Sequence, residues 1–206
     1  MRLEKQLERR RDIEKAAYEL LAEKGYRATS MLAIAKRAGA SNETLYKWYG
    51  SKQDLFRALV EDNAREVSEL LHISIKGDMD PITLLRKVAP ILLHLLVSER
   101  AITLNRAAVA DATETGQLGQ TLAQSGRDAV VPLIADLFDR CRASGALEFS
   151  SRQEVVDCFL GLLVGDLQIR RALGVIAELD DDAVHHRSAR TVAMILTLFG
   201  HDAATP

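Results

Sequence analysis

Apolar residues recur at helical intervals along almost the whole chain, and nowhere do they alternate with polar residues as a half-buried strand requires. Between residues 7 and 24, Ile13, Ala16, Ala17, Leu20 and Leu21 share one face, and Gly25 is placed to stop the helix. Met31, Ile34, Ala35 and Ala38 fall at i, i+3, i+4 and i+7, marking a short second helix that ends at Gly39, a residue able to take positive φ without strain. Ser41 is placed to cap a third, very short helix. With Leu45 at zero on a wheel of about 100° per residue, Trp48 and Tyr49 fall on its side, whereas Glu43, Tyr46 and Lys47 fall on the other. Gly50 ends that helix, and Ser51 with Asp54 three residues on resembles a capping box for a long helix over 52–75 that begins with Leu55, Phe56, Leu59 and Val60. After a break at Gly77 to Pro81 the pattern predicts helices over 81–97, 99–112, 116–143, 151–173 and 180–199. Pro90 should kink the first of these, and Gly126 or Pro132 should interrupt the third. The expected fold class is all-α.

Two short helices across a Gly turn, running into a third, can place a helix end in a DNA groove. The outward arc of the third helix carries a cation, a phenol and nearby amide and hydroxyl groups (Asn42, Thr44), which suits phosphates and base edges better than a hydrophobic partner. The run Ile34-Ala35-x-x-Ala38-Gly39-x-Ser41-x-x-Thr44-Leu45-Tyr46-x-x-Tyr49-x-Ser51-Lys52-x-x-Leu55 resembles the N-terminal DNA-binding domain of TetR-family transcriptional regulators. The resemblance covers about 50 residues and implies a helix-turn-helix domain over 1–55, with a helical effector-binding and dimerisation domain over 56–206. It also implies that Thr29, Ser41, Asn42, Thr44, Tyr46, Lys47, Tyr49 and Lys52 meet DNA. Glu43 departs from that picture, because a carboxylate on the outward arc repels phosphate unless it accepts from a cytosine amino group. Trp48 could stack on a base, but its place beside Leu45 favours packing, and Tyr49 is expected to pack its ring inward with its hydroxyl at the DNA backbone.

Charge sharpens this division. Residues 1–57 hold 13 Lys and Arg against 8 Asp and Glu, while the rest of the 206-residue chain holds 14 against 21. The basic part is the part with the motif, as attraction to phosphate requires. The basic N-terminal stub could itself reach a minor groove, or it could be a solvated, frayed helix start. It has no apolar segment of the kind that directs secretion, and the stretches around Ile91 to Val97 and Phe159 to Val164 are too short to span a bilayer. Cys141 and Cys158 lie within helical apolar patterns without paired spacing, as reduced core residues of a cytoplasmic protein would.

In the C-terminal part, residues Cys158 to Ile169 are apolar nearly all round, with Gly161 and Gly165 four apart, and the last helix carries a broad stripe of Val192, Ala193, Ile195, Leu196 and Phe199. These stripes fit a four-helix dimer interface, which the TetR resemblance also implies, with Gly161, Leu163, Gly165, Val192, Leu196 and Phe199 as candidates. The alternative is burial of both helices within one chain. Residues 100–126 and Phe159 to Leu163 loosely resemble the C-terminal domain of the AefR-like subgroup, which implies a ligand-sensing core and names no ligand. Ile91, Leu92, Leu95, Leu96, Ile102 and Leu104, with His94, Asn105 and Arg106 as polar anchors, are the candidate lining of a pocket for a small, largely apolar effector; alternatively those polar groups face solvent or cap one another.

No catalytic constellation is evident, and no cofactor is expected. His94 has no nucleophile placed beside it by the sequence, and there is no Gly-rich phosphate loop. His185 and His186 stand near Asp180, Asp181 and Asp182, but acidic residues are expected at a helix N-terminus for dipole reasons, so no metal site is assigned. The reading is a homodimeric regulator, repressing by default, that leaves a near-palindromic double-stranded operator when an effector binds. The competing readings are a constitutive DNA-binding regulator and a small all-α enzyme or sensor.

Overall fold

The structure, a computed structural model, describes residues 2–75 and 79–200, so the break expected at Gly77 lies outside the described residues. These residues form α1 (Arg2–Ala28), α2 (Met31–Arg37), α3 (Asn42–Tyr49), α4 (Lys52–Ile75), α5 (Pro81–Val97), α6 (Glu99–Asp111), α7 (Gln117–Leu122), α8 (Asp128–Ala143), α9 (Arg152–Val164), α10 (Leu167–Ala172) and α11 (Asp181–Phe199). There is no strand among the described residues; the one extended pairing is an antiparallel bridge between Leu147 and Gly200.

By packing, the chain divides into two units that do not follow sequence order. One comprises 1–63 together with 99–126; the other comprises 64–98 together with 127–206. The sequence reading cuts the chain once, after residue 55. In the folded chain, α6 packs along α1 and α7 packs on α6, so both join the N-terminal unit. The core of this unit is built from Ile13, Leu20, Ile34, Leu45, Phe56, Leu59, Leu104 and Leu118. Hydrogen bonds to one carboxylate tie the α6–α7 corner. The buried Asp111 carboxylate accepts hydrogen bonds from the Thr115 hydroxyl (2.7 Å) and from the Leu118 amide (3.1 Å), and these bonds hold it below its ordinary pKa.

In the second unit α11 packs on α5 and α9, and α8 packs on α9 and α5. Leu85, Val88, Leu93, Phe138, Phe159 and Leu163 are fully enclosed, with the Phe138 and Phe159 rings edge to face at 5.4 Å. Pro90 and Pro132 both sit inside continuous helices, α5 and α8. The interruption expected in 116–143 falls at 123–127, which form a π-helical turn between α7 and α8.

The segment expected as one helix over 151–173 is broken. Gly165 ends α9 at φ 52° and ψ −129°, a conformation open essentially to glycine alone. Arg187 of α11 reaches this break, donating from Nε to the Leu163 carbonyl (2.6 Å) and from Nη2 to the Leu162 carbonyl (3.1 Å). Those carbonyls are left without intrahelical partners at the helix end, and the guanidinium satisfies them. Cys141 is buried, which pushes its thiol up to about 12, and Cys158 is half-buried; both are free thiols.

Candidate nucleic-acid interface

Three caps fix the helix-turn-helix. Ser30 caps α2, its hydroxyl oxygen accepting from the Ala33 amide at 3.1 Å. Met31, Ile34 and Ala35 turn inward, and Gly39, at φ 60°, turns the chain toward α3. Ser41 caps α3, its Oγ accepting from the Thr44 amide at 3.1 Å and lying 2.8 Å from the Thr44 hydroxyl. Ser51 caps α4, accepting from the Asp54 amide at 3.0 Å and donating to the Asp54 carboxylate at 2.6 Å.

This local geometry divides α3 into two arcs. Leu45 and Tyr49 are buried and Trp48 is half-buried, so the indole belongs to the packed side. Asn42, Glu43, Tyr46 and Lys47 are exposed, with Tyr46 half accessible. Ser41 is exposed and Thr44 half-buried at the same end of the helix. Lys47 has no ion pair among the described residues. By contrast Arg37, at the end of α2, is held by a two-nitrogen fork on Glu23 (2.8 Å each) and by Glu19 (3.4 Å); the hydrogen bonds to Glu23 raise its pKa.

Three residues expected at the DNA are turned into the protein instead. Thr29 is buried, and its hydroxyl donates to the carbonyls of Gly25 (2.8 Å) and Leu20 (3.2 Å), closing the end of α1. Lys52 Nζ donates to the carbonyls of Tyr26 and Thr29, both at 2.9 Å, and lies 3.9 Å from the Tyr26 ring centre. An ammonium on the carbonyl end of a helix is favoured by its dipole, while partial burial lowers its pKa. Tyr49 has its hydroxyl buried without a hydrogen-bond partner among the described residues, so it is not a phosphate contact in this conformation. The side chains brought together on one accessible surface are thus Ser41, Asn42, Thr44, Tyr46 and Lys47, with Glu43 among them.

The candidates in the second unit are redistributed in the same way. Leu163 and Val192 are fully enclosed in the core of their own unit, and Leu196 and Phe199 are half-buried against it; all four are drawn in because α11 packs across α5 and α9. Gly161 is exposed with open space where a side chain would stand, whereas Gly165 serves the break after α9. A groove of about 330 Å³ runs over Gly161, Leu162, Arg187, Arg190, Thr191 and Met194. Of the effector candidates, His94 is exposed on α5, while Asn105 is half-buried and Arg106 exposed in the other unit, with Arg106 3.6 Å from Glu99. Among the described residues no group of three or more His, Cys, Asp or Glu side chains could hold a metal ion. Asp180 caps α11, accepting from the Ala183 amide at 2.8 Å. No single helix among the described residues is long and apolar enough to cross a membrane. Arg187 and Asp111 carry no signal of these roles in the sequence pattern: Asp111 bonds residues four and seven on, and the partners of Arg187 lie 24 and 25 residues back.

These arcs and caps define a helix-turn-helix of the kind found in DNA-binding regulators. Residues 13–59 match the bacterial regulatory proteins of the tetR family, and residues 83–201 match the AefR-like transcriptional repressor C-terminal domain. The chain belongs to the TetR family of transcriptional regulators. It is 35% identical over 92 residues to the HTH-type transcriptional regulator AcrR of Shigella flexneri, a match spanning 44% of this chain and 41% of that one. A second curated relative, YvkB of Bacillus subtilis, is 36% identical over 64 residues and is matched over 33% of its length. Among solved structures, a TetR-family regulator from Mesorhizobium loti superposes with a TM-score of 0.76 at 23% identity, covering 94% of this chain and 98% of that one. The flavonoid-responsive regulator FrrA superposes with a TM-score of 0.68 at 27% identity, covering 95% and 99%.

Proposed function

We propose that two copies of this chain bind a near-palindromic DNA operator in the cytoplasm and repress transcription there, each reading a few base pairs through the exposed arc of α3. The observation that carries this reading is the exposure of Asn42, Tyr46 and Lys47 on a helix whose opposite arc, Leu45 and Tyr49, is locked in a core. So short a helix contacts few bases, so specificity needs a second half-site supplied by a second copy. The surface supporting that assembly is the side of α9 and α11 with Gly161, Leu162 and Met194, together with Leu198, which is 61% exposed. Small and apolar side chains there permit close helix packing.

A small, largely apolar effector releases the operator in this proposal, which is supported by the AefR-like C-terminal match and by the responsiveness named for FrrA. The solvent exposure of His94 and Arg106 removes them as anchors inside an enclosed pocket and favours the constitutive alternative to that extent. Selection of duplexes from a randomised pool, followed by gel shifts with a panel of apolar aromatic and acyl compounds, tests both parts. Enrichment of a dyad-symmetric duplex and its release by one compound class is the expected result. Enrichment without release by any of them would leave a constitutive regulator, and no enrichment would remove the operator reading.

A further inference from the structure

Glu43 is the acidic residue of α3, and it stands on the arc that faces away from the core. With Leu45 at zero and about 100° per residue, Glu43 falls at about 160° and Lys47 at about 200°, so these two are the outermost side chains of the helix. A glutamate four residues ahead of a lysine is well placed for an ion pair along a helix. None forms here: both side chains are exposed, and neither has an ion pair or hydrogen bond among the described residues. Nor is the carboxylate needed as a cap, because the Ser41 hydroxyl already accepts from the Thr44 amide. The helix dipole favours an acidic residue in the first turn, but it does not select the outermost arc.

The recognition helix of a helix-turn-helix brings its N-terminal residues to the base edges of the major groove, and Glu43 is the second residue of α3. An ionised carboxylate accepts hydrogen bonds and has none to give. In the major groove guanine presents two acceptors, thymine an acceptor beside its methyl group, and adenine an acceptor next to its amino group. Cytosine alone presents a donor with no acceptor of its own. A glutamate on this arc is thus repelled by the flanking phosphates and by most base edges, and one base compensates it. We propose that Glu43 reads cytosine, its carboxylate accepting from the N4 amino group of a C·G pair in each half-site. Its contribution is to specificity more than to affinity, since repulsion from the other edges does as much of the selecting as the hydrogen bond. Lys47, on the same arc, offsets the phosphate repulsion and leaves the carboxylate free to accept.

The inference rests on the operator reading above and is tested separately from it. The full chain and its Glu43→Ala variant each select duplexes from a randomised pool. Fluorescence anisotropy then gives the affinity of both for the duplex that the unaltered chain enriches and for single-pair variants of it, with circular dichroism verifying that the helices are kept. The expected result is a C·G pair fixed in each half-site. Changing that pair to T·A should weaken the unaltered chain by about tenfold and the Glu43→Ala chain by less than about twofold, while preferences at the other positions are retained. Glu43→Gln, whose amide pairs with N6 and N7 of adenine, should move the preference there from C·G to A·T. If Glu43→Ala instead binds every duplex more tightly by one factor, with base preferences unchanged, the carboxylate only repels phosphate and the proposal is overturned. An enriched duplex without a fixed C·G pair also overturns it and leaves the operator reading in place. A chain that enriches no duplex would overturn the operator reading itself, and this inference with it.

Discussion

Burial of the Tyr49 hydroxyl, with the Glu14 carboxylate nearby, pushes its pKa up to about 12, from an ordinary value near 10. The folded chain then holds this proton between about pH 10 and 12 while the unfolded chain releases it, so the associated stability is complete below pH 10 and is lost as pH rises through 12. Tyr49→Phe removes the unsatisfied group and is expected to stabilise the chain by about 1 kcal/mol at neutral pH, to flatten its alkaline decline and to leave operator affinity unchanged. Thermal melts at pH 8 and 11 and one binding isotherm check all three. Lys52→Met is expected to cost about 2 kcal/mol through its two charge-assisted hydrogen bonds, yet to leave the salt slope of DNA binding where it was. A slope lower by about one unit would return this ammonium to a phosphate. The spacing of Leu45, Tyr46 and Lys47 was enough to give their faces. Thr29, Lys52 and Tyr49 were not legible in the same way, because each is turned by the end of α1 or the packing of α3, which only the assembled unit supplies.

Helix placement follows the apolar pattern closely where caps are local: Ser30, Ser41, Ser51 and Asp180 each cap the helix they precede. It departs where the partner is distant. Gly161 and Gly165 read as a pair made for close helix contact, but Gly165 ends α9 because Arg187, 22 residues on, takes the carbonyls that a continuing helix would use. A Cβ at Gly165 would stand 2.6 Å from an Arg187 nitrogen, on backbone already restricted to glycine. Gly165→Ala is expected to destabilise the chain by about 1–3 kcal/mol, read as a lower midpoint in urea with an unchanged m-value. A midpoint within error of the unaltered chain would mean that the break between α9 and α10 relaxes freely.

For the molecule as a whole, family and fold class were legible because the helix-turn-helix is a continuous run of some 25 residues, each placed by its neighbours. The membership of α6 and α7 in the N-terminal unit was not, since it depends on contacts between residues far apart in sequence. The dimer surface illustrates the same limit. Leu163→Arg is expected to unfold the C-terminal unit rather than merely separate subunits, because Leu163 is enclosed. Gly161→Arg places its charge in open space, so it should keep the fold and yield monomers in sedimentation; a stable dimer would move the interface off this face. The central claim is that the exposed arc of α3 is the surface that reads DNA. Its most direct test is the affinity of the Tyr46→Ala/Lys47→Ala chain for the duplex enriched by the unaltered chain, with helical content and melting temperature verified. Loss of binding by about tenfold or more, from contacts worth roughly 1–3 kcal/mol where a base is read, is the predicted result. Unaltered affinity in a folded variant would contradict the account.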